Sequence, residues 1–233
     1  MMDTTSPCMQ QVQEAIRSRR SVRAFLPDAV PQRLIERILE SAARAPSGSN
    51  IQPWQVIVLT GTAREALCQD IETAALAGEP GQAEYAYYPR QWREPYLARR
   101  RTVGWALYGS LGIQRGQTER MAAQHRRNYC FFDAPVGLLF TMDRDMEQGS
   151  WLDLGMFAQN VMIAARSFGL DTCAQAAFNP YQHLIVKRLK IPAHRQLIMA
   201  MALGYADMAA PENNFPTERE PVHVFARFVD SLP

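Results

Sequence analysis

The sequence predicts an α+β protein in which helices outnumber strands. Three observations carry that expectation. Leu34, Ile35, Ile38, Leu39 and Ala42 recur at helical spacing. Short apolar runs at 55–59, 135–142 and 197–203 have the length of buried strands and are bounded by turn formers. No Gly-x-Gly-x-x-Gly turn follows the first of these runs, so a dinucleotide-binding domain built on a parallel sheet is not supported.

The elements follow in order. Val12, Ala15 and Ile16 form a helical stripe that runs into Arg17-Ser18-Arg19-Arg20. Pro31 suits the first position of a second helix, which ends at the turn formers Pro46-Ser47-Gly48-Ser49. Gly61 closes the first strand, and Thr62 with Glu65 reads as a capping box that opens a third helix. Residues 78–96 hold Pro80, Gly81, Pro89 and Pro95 among Tyr85, Tyr87, Tyr88, Trp92 and Tyr96, an irregular aromatic loop with helices beyond it to about residue 127. After the second strand, Ser150 and Asp153 are candidate caps for a helix that is apolar nearly all round. Its Leu152, Leu154, Met156, Phe157, Val161, Met162 and Ile163 suit a core or an interface. Gly169 is placed to end that helix, and 170–178 reads as a loop of small residues. Gly204 closes the third strand, and the tail from Asp207 is Pro-rich and then partly apolar. One domain over 1–233 is expected, with an aromatic helical insertion at about 85–116 and a C-terminal tail at about 207–233.

Composition narrows the function. A chain of 233 residues with 47% hydrophobic and 21% charged residues buries a substantial core. A net charge of +2 is too mild for nucleic acid to be the main partner. No run approaches the ~18 apolar residues of a membrane span, and MMDTTSPCMQQ lacks the pattern of a signal peptide. Cys8, Cys68, Cys130 and Cys173 form no C-x-x-C pair and read as reduced thiols. The histidines are scattered, so no metal site is legible. A cytoplasmic protein is expected.

Four segments could carry chemistry. Arg19-Arg20-Ser21-Val22-Arg23 places three guanidiniums and a hydroxyl at a helix end, where planar forks pair with phosphate oxygens. A solvated basic turn is the other reading. Pro46-Ser47-Gly48-Ser49-Asn50-Ile51-Gln52-Pro53-Trp54 offers short polar side chains for a polyol or a ring edge; equally, it is a turn with Trp54 packed in the core. Leu170–Phe178 could bring backbone N–H groups against a flat ring, and Arg219 would ordinarily be a solvated charge.

Taken in order, these segments resemble the nitroreductase family. The resemblance rests on Arg19–Arg23, Pro46–Trp54, Leu152-Asp153-Leu154-Gly155 opening an apolar helix, and Ala202-Leu203-Gly204-Tyr205 followed by a late Arg. It covers about residues 11 to 228. It implies a central, mainly antiparallel sheet flanked by helices, in an intertwined homodimer with FMN in clefts at the subunit interface. By similarity, Arg19, Ser21 and Arg23, with Arg20 beside them, hold the FMN phosphate and ribityl chain, and Arg219 closes on the phosphate. Pro46, Ser47, Ser49 and Asn50 reach the flavin from the other subunit, and the tail reaches across to the partner. Ala174, Gln175, Ala176 and Ala177 lie on the flavin face near N5. The family often has a second basic residue where this chain has Thr217.

NADH or NADPH is the implied electron donor, and nitroaromatics are the implied acceptors in a ping-pong reaction, with no catalytic side chain required because the flavin carries the chemistry. Trp92, Trp105 and Tyr108, with Tyr96, are candidates to stack on the aromatic substrate; packing is the equal alternative. Arg99-Arg100-Arg101 is a candidate for the dinucleotide phosphates or a solvated helix face. The same cradle also serves flavin reductases of quinones, enones and halogenated aromatics, and a non-catalytic FMN-binding protein is a further alternative. No Glu-Tyr-Lys set suited to gripping a halotyrosine is legible in the insertion.

Overall fold

The computed structural model of the protein describes residues 7–231. Four strands form one sheet: β1 (Gln55–Thr60), β2 (Val136–Asp143), β3 (Asp171–Gln175) and β4 (Arg195–Gly204). Their order is β1-β2-β4-β3, and every neighbouring pair is antiparallel. The helices are α1 (Pro7–Ser18), α2 (Gln32–Ala42), α3 (Gly61–Leu76), α4 (Tyr96–Ser110), α5 (Thr118–Arg126), α6 (Gln148–Ser167), α7 (Gln182–Leu189) and the short α8 (Val222–Phe225).

Side chains alternate across a strand, so the two central strands divide the core in two. On one face Leu138, Phe140, Met142, Met201 and Leu203 pack with Ile35, Ile38 and Ala42 of α2 and with Leu154, Phe157 and Val161 of α6. On the opposite face Leu139, Ala200 and Ala202 meet Leu67 and Ile71 of α3 and Ile185 of α7. The helical periodicity of α2 therefore exists to bury Ile35 and Ile38, each worth about 1.5–3 kcal/mol. A bulge interrupts the alternation. Phe140 faces Met199 and Thr141 faces Leu197, which leaves Ile198 without a register partner.

One close approach tests this packing. A Cβ on Gly137 would lie 2.5–2.8 Å from three ring atoms of the fully buried Phe131. Gly137→Ala should therefore destabilise the fold by about 1–3 kcal/mol, read as a lower urea midpoint. An unchanged midpoint would show that the ring has room to move.

Several expectations need correction. Residues 171–175, read as loop, form the edge strand β3. Alternation is faint in Asp-Thr-Cys-Ala-Gln, and it is pairing with β4 that makes it a strand. The helix α3 starts at Gly61 with Thr60 as its N-cap and no side-chain cap bond, so Thr62 and Glu65 form no capping box there. Pro31 caps α2 from one position outside it. The helix α6 begins at Gln148, so neither Ser150 nor Asp153 caps it. Its burial is one-sided, since Leu152 is 71% exposed while Leu154 and Phe157 are buried. Gly169 does follow the helix in the left-handed region, at φ +74°.

No helix among the described residues is long and apolar enough to cross a membrane. Cys68, Cys130 and Cys173 are free thiols, and burial pushes Cys68 up to about 12. The side chain of Cys8 lies outside the described residues.

Candidate functional site

Beyond α1 the chain runs extended through residues 19–25 and is pinned along both edges. Ser21 pairs with Thr172 of β3, and the Val22 N–H donates to the Thr172 carbonyl at 3.1 Å. On the tail side Asn213, only 2% exposed, acts as a bracket. Its Oδ1 accepts from the Arg23 N–H at 2.7 Å, and its Nδ2 donates to the carbonyls of Ala24 and Asp207, each at 2.8 Å. A backbone fixed on both sides fixes the direction in which Arg19, Ser21 and Arg23 project.

Positive charge is concentrated in that segment. Burial lowers the pKa of Arg19, and the guanidinium of Arg219 lowers it further; no carboxylate is among the groups acting on it. Arg219 is held by its own turn. Its Nη1 donates to the carbonyl and Oγ1 of Thr217, both at 3.1 Å, and to the Glu218 carbonyl at 2.9 Å. Thr217, which stands where the family often has a second basic residue, thus orients Arg219. Cys173 lies close to the cluster; burial pushes its thiol up, while Arg23 and Arg19 draw it down. Two guanidiniums brought together without a carboxylate repel each other, and a phosphate between them reverses the sign. Arg20 is engaged elsewhere, with its Nη2 2.9 Å from Met208 Sδ.

Arg23 also lines a cleft of about 490 Å³. The cleft passes over Cys173, Ala174, Gln175, Ala176 and Ala177 to Asn128, Tyr129 and the aromatic residues Tyr85, Tyr87, Tyr88 and Tyr108. Gln175 is buried and donates Nε2 to the Asn128 carbonyl at 2.9 Å, which fixes the end of β3. Tyr85 joins the insertion to the sheet. Its hydroxyl donates to the carbonyl of the bulged Ile198 and accepts from Asn179 Nδ2, and its ring meets Trp151 edge-on at 4.7 Å. Burial and the neighbouring Tyr181 raise Tyr129 to about 12, so it stays a neutral hydroxyl at ordinary pH. Buried polar atoms of Gln124, Gln175 and Asn179, all cleft residues, have no partner among the described residues.

The anticipated residues thus fall into groups. Arg23, Gln175, Ala176, Ala177 and Tyr108 share the cleft, with Arg19, Ser21 and Arg219 clustered at its Arg23 end. Pro46, Ser47, Ser49 and Asn50 do not line it. They sit on a mostly exposed loop beside the start of α6, where the Gly48 N–H donates to Asp153 Oδ2 at 3.1 Å. Ser47 Oγ accepts from the Gln52 N–H at 3.0 Å, and Ser49, Asn50 and Gln52 are all left-handed. Trp54 belongs to the core, stacked on Phe157 at 4.7 Å.

Neither Trp92 nor Trp105 lines the main cleft. Arg100 lies over the Trp92 ring at 4.7 Å, and Arg115 over Trp105 at 5.0 Å, because exposed arginines find aromatic faces nearby. The sequence did not single out Asn213 or Asn128, and it placed Tyr85 only within an aromatic loop. An asparagine in a Pro-rich stretch reads as a turn former, and only its tertiary partners distinguish it.

The family model for the nitroreductase family matches residues 16–205, so the chain belongs to that family. The 4-nitrobenzoate reductase of Nocardioides sp. (strain LMS-CY) is 38% identical over 96% of this chain and 92% of its own length. The nitrobenzene nitroreductase of Ectopseudomonas oleovorans is 37% identical, over 96% of this chain and 99% of its own. Among solved structures, the FMN- and NADPH-dependent nitroreductase NfnB of a Sphigopyxis strain superposes with a TM-score of 0.91 at 37% identity, covering 94% of this chain and 99% of that one. NfnB of Mycobacterium smegmatis, solved in complex with NADPH, gives 0.91 at 32% identity, over 95% of this chain and 99% of that one.

Proposed function

We propose that this protein is an FMN-dependent NAD(P)H oxidoreductase that reduces nitroaromatic compounds, acting as a cytoplasmic homodimer. The observation that carries the reading is the aromatic-walled cleft itself, which runs from Arg23 over Cys173–Ala177 to Tyr85, Tyr88 and Tyr108, with Arg19 and Arg219 adding positive charge near its Arg23 end. These residues fit FMN. Arginines meet its phosphate, small polar groups its polyol, and the flat stretch Ala174–Ala177 its ring. Held there, FMN would supply hydride transfer between a reduced nicotinamide and the acceptor, with both using one cleft in turn.

The chain's own residues bind, orient and exclude water. Arg19, Ser21 and Arg23 hold the phosphate and ribityl chain, with Arg20 outside them and Arg219 closing the cluster. The backbone at Ala176 and Ala177 faces the redox-active edge, and Tyr88 and Tyr108 wall the substrate space. Pro46, Ser47, Ser49 and Asn50 complete the site from the partner subunit. Supporting that arrangement, their loop packs by α6, which exposes Leu152 and Met156, and Ile51 of the loop with Val12 and Ile16 of α1 are further exposed apolar residues. The tail adds Phe225 and Phe228, the latter 87% exposed, and its apolar residues suit burial on a partner. Free thiols suit a reducing compartment.

The test is an anaerobic absorption spectrum of the purified protein before and after NADPH or NADH, followed by nitrobenzene or 4-nitrobenzoate. Flavin bands that bleach with the dinucleotide and return with the nitroarene are expected. A protein that stays colourless when supplied with FMN would overturn the reading.

A further inference from the structure

A second cleft, of about 270 Å³, opens on α4 between Arg100, Arg101, Trp105 and Tyr108. Tyr108 is shared with the main cleft, and a second line of contact joins the two: Tyr88 lines the main cleft, packs on Trp92 at 5.3 Å, and Trp92 carries Arg100. The charge here is one-sided, for α4 contains no acidic residue. The acids nearest in sequence or contact are already engaged. Glu94 Oε2 accepts from the Ala98 N–H at 3.1 Å, and Glu220 pairs with Arg99 at 2.8 Å. Arg100 and Arg101 have no carboxylate partner among the described residues.

We infer that Arg100 and Arg101 form a phosphate subsite for the nicotinamide dinucleotide, an inference that rests on the electron-donor reading above. A dinucleotide that sets its nicotinamide in the main cleft must carry its phosphates and adenine outward. The second cleft adjoins the main one at Tyr108 and offers guanidiniums beside an aromatic ring, the pairing that a nucleotide's phosphate and base require. Arg99 is neutralised by Glu220, so the function falls on the following two arginines.

The experiment titrates NADP⁺ and NAD⁺ into the flavin-loaded protein by calorimetry, for wild type and for the Arg100→Gln/Arg101→Gln double variant. Glutamine keeps the polar character of an exposed helix face, so the fold is retained. NADP⁺ should bind the variant roughly tenfold to hundredfold more weakly, the usual loss for charge-assisted bonds to phosphate. Flavin content and the KM for nitrobenzene should not move. Unchanged NADP⁺ affinity would overturn the subsite. So would a loss confined to the KM for 4-nitrobenzoate, which would assign the arginines to the carboxylate of an acidic substrate. Failure of the parent reading looks different: the arginines would hold NADP⁺, but NADPH would not bleach the flavin.

Discussion

Replacing Arg19 and Arg23 together by Ala should yield a folded protein that purifies without flavin absorbance. Each guanidinium offers charge-assisted hydrogen bonds to a phosphate, worth about 1.5–3 kcal/mol apiece. Losing both weakens FMN binding by roughly two to four orders of magnitude. The surroundings sharpen the test. Arg19 and Arg219 are like charges, and no carboxylate is among the groups acting on Arg19, so the flavin-free variant should still fold. Flavin fluorescence titration measures the affinity, and thermal unfolding of both apo forms separates lost binding from misfolding. Undiminished FMN affinity in the double variant would remove the arginines from the site.

Asn213→Ala carries the largest expected cost in stability. The substitution leaves the Arg23 N–H without its acceptor, and the carbonyls of Ala24 and Asp207 lose the Asn213 amide; Ala24 keeps only the Asp207 N–H at 3.0 Å. An unsatisfied buried polar group costs about 1–3 kcal/mol, so a loss of about 3–5 kcal/mol is expected from urea unfolding. Flavin affinity should fall with it, because the bracket sets where Arg23 points. Asn213→Asp is no rescue. A carboxylate keeps the acceptor for Arg23 but replaces the donating Nδ2 with a negative oxygen that faces both carbonyls, in a place almost closed to water. A variant with wild-type midpoint and wild-type flavin content would show that the tail and the arginine segment are held by other contacts.

How much was legible follows from what each signal measures. The face of α2 and the central strands β2 and β4 were readable because burial on a helix stripe or between two helix layers leaves a periodic or continuous apolar trace. The edge strand β3 carries polar residues at Asp171, Thr172 and Gln175 and is defined by its neighbour, so nothing local announces it. Helix starts were misplaced wherever a capping pattern was taken as evidence of a cap. Asp153 is instructive, since its carboxylate reaches across to Gly48, not to its own helix.

Within the site, the arginine run was visible because clustered charge is a composition signal. The direction of each arginine was not. Arg23 lines the cleft, while Arg20, three residues before it, meets Met208. The aromatic insertion divided the same way. Tyr108 reached the main cleft, and Trp92 and Trp105 became platforms for Arg100 and Arg115.

The loop at 47–52 has a thermodynamic consequence. It turns through left-handed residues at Ser49, Asn50 and Gln52, and the N–H groups of Gly48, Asn50 and Gln52 find their acceptors within the same protomer, on Asp153 and Ser47. The loop is therefore preformed, and presenting it to a neighbour costs little ordering entropy. In the proposed dimer this makes cofactor binding and self-association linked equilibria. Whatever factor the partner adds to flavin affinity, flavin must return to the association constant. Dilution then loosens the cofactor, and a saturating cofactor holds the pair together at concentrations where the bare chains would separate.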